Sequence, residues 1–309
     1  MTLKNYNYIA IDIAKDSLQV QTGHSSSSLS YDTQGLEKLL TIINKSERPF
    51  VICEATGGYE RQLLALLFKE NIPLSLVNPV QVRAFAKSDG IRAKSDPIDA
   101  KVLLRFAQEK KLKQTLPGDP KREEIAALLD RRAHLSEQLA REKNRLQNSH
   151  PAIVDSISKM IDIVQEQITS IDELIEELIE QNTELKDSFN TMIAVKGVGK
   201  ITAFSILAFL PEIQHLGRNK IIALAGIAPF EKDSGKFKGK RYIQGGRAKL
   251  RKILYMAAQC AAVHNEHIRK YVDGLRARGK PYKCAIVAAM RKLLIHIQIL
   301  LKKQQTLLA

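Results

Sequence analysis

Along residues 5 to 110 the apolar positions switch repeatedly between a period of two and a period near 3.6. The short apolar runs predict strands near 6–13, 17–22, 28–31, 50–54 and 74–77. Amphipathic stretches between and after them predict helices near 34–45, 59–70, 79–87 and 97–110. The first three strands lie close together and read as a meander, with Thr22-Gly23-His24-Ser25 and the serine run after it as turns. Helices follow the later strands, so the expected architecture is α/β, a mixed sheet covered by helices. Thr115-Leu116-Pro117-Gly118-Asp119-Pro120 ends the alternation and marks a domain boundary.

A long helical region follows. Val154, Ile157, Ile161, Val164, Ile168, Ile171, Ile175 and Leu178 recur at alternating steps of three and four, the seam of a coiled coil. Ile125, Leu128, Leu135, Leu139 and Leu146 make a patchier first half, separated from the second by Asn148-Ser149-His150-Pro151. A single-chain hairpin and pairing with another subunit both satisfy this pattern. The acidic face of Glu166, Asp172, Glu173, Glu176, Glu177 and Glu180 reads as solvated. Beyond residue 190 the chain is mostly helical and poor in strand signals. Three regions are therefore expected: an α/β domain over 1–115, a coiled-coil arm over 120–187 and a mainly α domain over 188–309.

Charge divides the chain more sharply than hydropathy does. Residues 191 to 309 hold 23 Lys and Arg against 5 Asp and Glu, a balance of +18, whereas residues 1 to 190 balance to −3. A field segregated in this way suits a polyanion, because neutralising phosphates and releasing their counterions dominates nucleic-acid affinity. No run of 18 apolar residues occurs and the N-terminus lacks a basic-then-apolar leader, so membrane binding is not expected and the cytoplasm is the expected compartment. Cys53, Cys260 and Cys284 stand far apart in apolar contexts and read as core thiols. Cys260, His264 and His267 have helical spacing but lack a fourth ligand for zinc, so both histidines read as structural or surface residues.

Four carboxylates carry the chemistry of the N-terminal part. Asp12 interrupts the apolar run Tyr8 to Ala14, where a buried charge is costly unless a metal or hydrogen-bond partner compensates it. Glu54 closes Pro49-Phe50-Val51-Ile52-Cys53-Glu54 just before the turn Ala55-Thr56-Gly57-Gly58, which places it at the carboxyl end of a strand, where open α/β sheets bind ligands. In Ser95-Asp96-Pro97-Ile98-Asp99, Pro97 suits a first helical turn, and the spacing of three sets Asp96 and Asp99 on one side of it. Clustered oxygens of this kind suit hard divalent metals in phosphoryl transfer, Mg²⁺ or Mn²⁺. A helix cap at Asp96 and a dipole partner at Asp99 are the other reading of that segment.

Two elements of the C-terminal region point to phosphate. Lys196-Gly197-Val198-Gly199-Lys200 has the Gly-apolar-Gly core of a helix-hairpin-helix, in which glycines let backbone amides approach a phosphate at a helix start. The segment from Glu231 to Lys252 carries Lys232, Lys236, Lys238, Lys240, Arg241, Arg247, Lys249, Arg251 and Lys252 against Glu231 and Asp233. Within it, Asp233-Ser234-Gly235 is either an ordinary turn or a nucleophilic serine set among cations, with activation coming from outside the loop.

Taken in order, Ala10 to Lys15, Glu54 to Tyr59, Lys94 to Ala100, Ala225-Gly226-Ile227-Ala228-Pro229-Phe230 and Asp233-Ser234-Gly235 resemble the DEDD-type insertion-sequence transposases, a family that includes the Piv-type DNA invertases. The resemblance spans nearly the whole chain, with no departure at five site positions. It implies a RuvC-like, RNase H-like domain with Asp12, Glu54, Asp96 and Asp99 as metal ligands, a C-terminal domain whose catalytic serine is Ser234, and a shared site completed from another subunit. It further implies element-end and target DNA as partners, a structured guide RNA, and a dimer or tetramer. Candidate nucleic-acid contacts are Lys196, Gly197, Gly199, Lys200, Lys236, Lys238, Lys240, Arg241, Arg247, Lys249 and Arg251. A site-specific invertase, a RuvC-like nuclease or junction resolvase that uses water, and a non-catalytic nucleic-acid scaffold are the rival expectations. The lack of a Gly-rich Walker signature agrees with strand exchange that needs no nucleotide hydrolysis.

Overall fold

A computed structural model describes residues 6–23, 25–91, 96–231 and 241–308, with the backbone alone at 96, 97 and 305–308. The chain divides into two compact units, residues 1–117 and 118–309.

Unit 1 runs β1 (Asn7–Ile13), β2 (Ser17–Gln21), β3 (Ser26–Ser30), α1 (Thr33–Asn44), β4 (Pro49–Glu54), α2 (Glu60–Lys69), β5 (Leu74–Val77), α3 (Pro79–Ser88) and α4 (Asp96–Glu109). Its five-stranded sheet has the order β3-β2-β1-β4-β5, antiparallel from β1 to β3 and parallel across β1, β4 and β5. Strand alternation sorts the sheet into two cores. Ile9, Ile11, Val51 and Cys53 meet Leu39, Ile43, Leu63 and Leu67 of α1 and α2. Ala10 and Ile52, on the other face, meet Val82, Phe85, Val102, Leu103 and Phe106 of α3 and α4. Each such isoleucine, fully removed from water, contributes roughly 1.5–3 kcal/mol. The serine run expected as a turn is the edge strand β3 instead, because its backbone pairs with β2 from Ser26↔Gln21 to Ser30↔Ser17 while an edge tolerates polar side chains.

Unit 2 continues with α5 (Pro120–Gln147), α6 (Pro151–Glu180), α7 (Thr183–Ile193), α8 (Lys200–Phe209), a 3₁₀ turn (Pro211–Gln214), α9 (Arg218–Leu224), β6 (Pro229–Phe230), β7 (Tyr242–Ile243), α10 (Ala248–His264), α11 (Glu266–Ala277) and α12 (Tyr282–Leu308). Asp119 caps α5 by accepting from the Lys121 amide, and His150 Nδ1 accepts from the Ala152 amide at the start of α6, each followed by a proline at the first helical position. These two long helices pack on each other within the chain, held near their middle by Arg132 Nε on Asp172 at 2.6 Å. Their bases are not separate from the rest: Ile125, Leu129, Ile171 and Ile175 share one core with Phe189, Phe204, Ile221, Leu254, Leu293 and Ile297. Phe189 and Phe204 stack there with centroids 5.3 Å apart. α12 is long and apolar enough to span a bilayer by composition, yet Leu293, Leu294 and Ile297 are fully buried in this core. Its buried Gln298 donates to the carbonyls of Ile213 and Leu216, both at 2.8 Å.

The acidic face of α6 is largely solvated as expected, with Glu166, Glu173, Glu177 and Glu180 exposed, while Asp172 pairs with Arg132, Glu176 with Lys200 and Glu180 with Lys186. One expectation needs correction. Of the three thiols only Cys53 is a core residue; Cys260 and Cys284 are exposed, because their helices turn Ala257, Ala258, Ala285 and Ile286 inward instead.

Candidate active site

The N-terminal site begins with strand register. β1 and β4 are parallel with Ile11 opposite Cys53, so one further step sets Asp12 beside Glu54. Alternation turns both carboxylates to the face shared by Ala10 and Ile52, opposite the isoleucines of the other core. Both are half-buried at the carboxyl ends of the central strands. α4 packs on this same face through Ile98, Val102, Leu103 and Phe106, and carries Asp99, also half-buried, between Ile98 and the fully buried Ala100. Asp96 opens α4, but its side chain lies outside the described residues. The donors are all carboxylate oxygens, which suits a hard divalent cation. Among the described residues, no three Asp, Glu, His or Cys side chains are grouped closely enough to hold an ion.

A further carboxylate at this end of the sheet has another task. Glu60 Oε2 accepts from the amides of Thr56 and Gly58 at 3.0 and 2.8 Å and from the Thr56 hydroxyl at 3.3 Å. Burial alone raises its pKa, but these bonds and its own amide hold it below the ordinary carboxylate value. Glu60 therefore folds the loop that follows Glu54. Tyr31 supports the same loop from outside: its hydroxyl donates to the Tyr59 carbonyl at 2.7 Å and accepts the Leu63 amide at 3.0 Å. Burial raises the Tyr31 pKa and keeps that proton in place. Neither residue follows from the apolar pattern; the signal available in the sequence is Thr56-x-Gly58-x-Glu60, a polar loop with a carboxylate in reach of its amides. Cys53, under the same loop, is pushed up to about 12 by burial, with the charges of Glu60 and Glu54 adding to it, so it is an inert thiol.

In unit 2 two short strands that carry no apolar period flank the segment that contains the serine. β6 and β7 pair antiparallel, Pro229 with Ile243 and Phe230 with Tyr242, so the intervening segment is the connection of a β-hairpin. Ser234, Lys236, Lys238 and Lys240 fall in that connection and lie outside the described residues. The stem below it is built by backbone approach. Gly226 and Gly246 have φ of +70° and +61°, and a Cβ at Gly246 would come within 2.3 Å of the Gly226 amide nitrogen. Ala225 and Ile227, flanking Gly226, are fully buried. Arg251 Nη1 closes the stem on the carbonyls of Gly245 at 2.5 Å and Gly226 at 3.3 Å.

The expected phosphate contacts are placed unevenly. Gly197, with φ of +100°, leaves no room for a side chain, since a Cβ would sit 2.5 Å from the Ala261 Cα of α10. That glycine is required by packing. Gly199 faces open space at the start of α8, and Lys196 beside it is exposed. Lys200 Nζ reaches Glu176 at 2.6 Å. Arg241 pairs with Glu231 across the hairpin. Arg247 clamps Glu212 bidentately at 2.6 and 2.7 Å; Glu212 is raised by burial but held below the ordinary value by this guanidinium. Lys249 holds both oxygens of Asp130 at 2.6 and 2.7 Å.

Two family models match the chain, the first running from unit 1 through α5. Residues 9–150 fit the family model of DEDD-type IS110 transposases, described as "Transposase", and residues 190–273 fit the model described as "Transposase IS116/IS110/IS902 family". The chain is 29% identical over 299 residues to the pilin gene-inverting protein of Moraxella lacunata, covering 93% of each chain. The pilin gene-inverting protein of Moraxella bovis is similar to the same extent, 29% over 299 residues and 93% of each.

Proposed function

The chain belongs to the DEDD-type IS110/IS116/IS902 transposase family, and from that premise we propose that it excises and inserts an element by exchanging DNA strands through Ser234. It is accordingly a DNA recombinase. The observation that carries the proposal is the register that sets Asp12 beside Glu54 within the segment matched to the DEDD model, with α4 and its Asp99 packed on the same face. DEDD domains of this family work with divalent metal ions; here Asp12, Glu54, Asp96 and Asp99 would hold Mg²⁺ or Mn²⁺. Such an ion supplies charge neutralisation at a phosphate.

The serine step belongs to unit 2. The Ser234 oxygen attacks the scissile phosphorus, a serine–phosphate ester forms, and the bond to the leaving sugar hydroxyl breaks. The serine proton passes to a base as the ester forms, and the leaving sugar oxygen takes up a proton. Lys236, Lys238 and Lys240 offset charge developing on the phosphate oxygens. Attack on the ester by another strand's hydroxyl releases the serine, and the exchange is close to isoenergetic. The stem flanking the loop is built from paired strands, close-packed glycines and Arg251.

Trp is absent and aromatic residues make up 6% of the chain, so base stacking carries little sequence reading, and we assign target choice to pairing with a structured RNA. A dimer or tetramer is supported by Ile153, Met160, Ile163 and Leu174 of α6, which are 47%, 42%, 54% and 48% exposed; light scattering that finds only monomers, with and without nucleic acid, would sink it. The names of the Moraxella relatives favour a second reading, inversion between two sites by the same chemistry. A plasmid with inverted recombination sites separates the two by its product.

The test is incubation with Mg²⁺, element-end DNA and RNA from the adjoining non-coding region, followed by denaturing electrophoresis. A protein-linked strand formed by the wild type and absent from Ser234→Ala is expected. Cleavage without an adduct would replace serine exchange by hydrolysis.

A further inference from the structure

The basic excess of unit 2 falls into two populations. Around the hairpin stem most described cations pair with carboxylates, Arg241 with Glu231, Arg247 with Glu212, Lys249 with Asp130 and Lys252 with Glu137, while Arg251 bonds to two carbonyls and keeps its charge. The turn joining α11 to α12 is arranged oppositely. Residues 276 to 284 are all exposed, and among the described residues Arg276, Arg278, Lys280 and Lys283 meet no carboxylate. The two guanidiniums bond to peptide oxygens: Arg276 Nη1 donates to the Lys280 carbonyl at 3.1 Å and Arg278 Nε to the Gly274 carbonyl at 3.0 Å. A peptide oxygen orients a guanidinium without cancelling its charge. The nearest acidic residue in sequence is Asp273, so the turn itself is uncompensated.

The platform beneath is fixed. Ile268 and Val272 of α11 are 4% exposed in the core, and Lys292 of α12 lies 4.3 Å from the centroid of the Tyr271 ring. Gly279, with φ of +76°, makes the tight reversal, and Tyr282, 45% exposed, stands among the four cations. A rigid, uncompensated cationic turn with one aromatic ring suits phosphodiester backbone with a base or sugar against the ring. An anionic bilayer is the poorer match, because no large aliphatic side chain is exposed beside Tyr282 in this turn to enter it.

We propose that the α11–α12 turn is a nucleic-acid contact, in which Arg276, Arg278, Lys280 and Lys283 bind backbone phosphates and Tyr282 packs on the strand. The segment lies beyond residue 273, where the transposase match ends. The inference rests on the reading that the chain acts on nucleic acid, but not on Ser234 chemistry. Binding is therefore measured on full-length Ser234→Ala protein, by fluorescence anisotropy across a salt series, with short duplex DNA and single-stranded RNA of arbitrary sequence as probes. The variant adds Lys280→Gln and Lys283→Gln, whose ammoniums bond to no carboxylate among the described residues, so its melting temperature should match its parent's. Removing one phosphate-bound cation makes the log–log salt slope shallower by about 0.9 on duplex DNA or about 0.7 on a single strand, so the pair predicts a change of about 1.8 or about 1.4. A change on one probe alone names that nucleic acid as the occupant. Adding Arg278→Gln extends the effect, and Tyr282→Ala weakens binding without altering the slope. Unchanged slopes on both probes overturn the proposal. If the parent binds neither probe, the wider reading fails as well.

Discussion

The carboxylate face of unit 1 and the basic surface of unit 2 are specified in different ways. In unit 1 the chemistry is tied to local period: once Asp12 and Glu54 end parallel strands, the pleat sends both to one face. In unit 2 the cations lie on long side chains whose direction no period fixes. Several expected at phosphate instead tie helices together, Lys249 to Asp130 of α5 and Lys200 to Glu176 of α6. A carboxylate in an apolar strand has few ways to be tolerated, whereas a lysine on a helix has many partners within reach.

The largest expected effect sharpens the first half of that contrast. Asp12→Asn and Glu54→Gln should each lower strand exchange by on the order of 10²–10³-fold or more while leaving DNA affinity nearly unchanged, measured by product formation and by anisotropy. Equal loss in both assays would mean these carboxylates serve the fold. Next in size are the glycines. Gly197→Ala and Gly246→Ala force a side chain into backbone at positive φ and should cost roughly 2–4 kcal/mol, read from urea midpoints, whereas Gly199→Ala should cost less than about 1 kcal/mol. A large loss at Gly199 would break the distinction between the two glycines of one motif.

The Glu212–Arg247 clamp gives a smaller, pH-dependent effect. Because Glu212 is depressed below its ordinary 4.5 in the folded state, its contribution is complete above about pH 4.5 and is lost as the pH falls through the folded value. Glu212→Gln should lower stability at neutral pH by about 1 kcal/mol and flatten the acid side of the stability curve. An acid limb as steep as the wild type's would remove Glu212 as its source. Smallest of all, Lys249→Gln should leave the salt slope of DNA binding where it was, since that ammonium is occupied by Asp130. A shallower slope would return Lys249 to the DNA-facing set.

How far the sequence reaches varies by element for physical reasons. The expected strand at 50–54 and helix at 79–87 correspond to Pro49–Glu54 and Pro79–Ser88, because apolar period and an Asn78 cap with Pro79 are local signals. β3 is only partly legible because an edge strand needs only backbone pairing, and β6 with β7 not at all because two residues carry no period. Glu60 and Tyr31 leave no such trace because their roles are hydrogen bonds to backbone amides and carbonyls that exist only once β4, α1 and α2 are in place.

By itself the sequence determined the order of strands and helices in unit 1, the break before residue 118, the two carboxylates at strand ends and the segregation of positive charge. These follow from short-range sterics, burial and composition, which operate within a few residues. Tertiary structure alone decided that the bases of α5 and α6 join the core of unit 2, that Gly197 packs on Ala261, and that Arg247 and Lys249 at the hairpin stem meet carboxylates while, among the described residues, the cations at 276–283 do not. Each depends on which surfaces meet across many tens of residues. Whether a charge is available to a partner is set by the carboxylate that folding brings beside it.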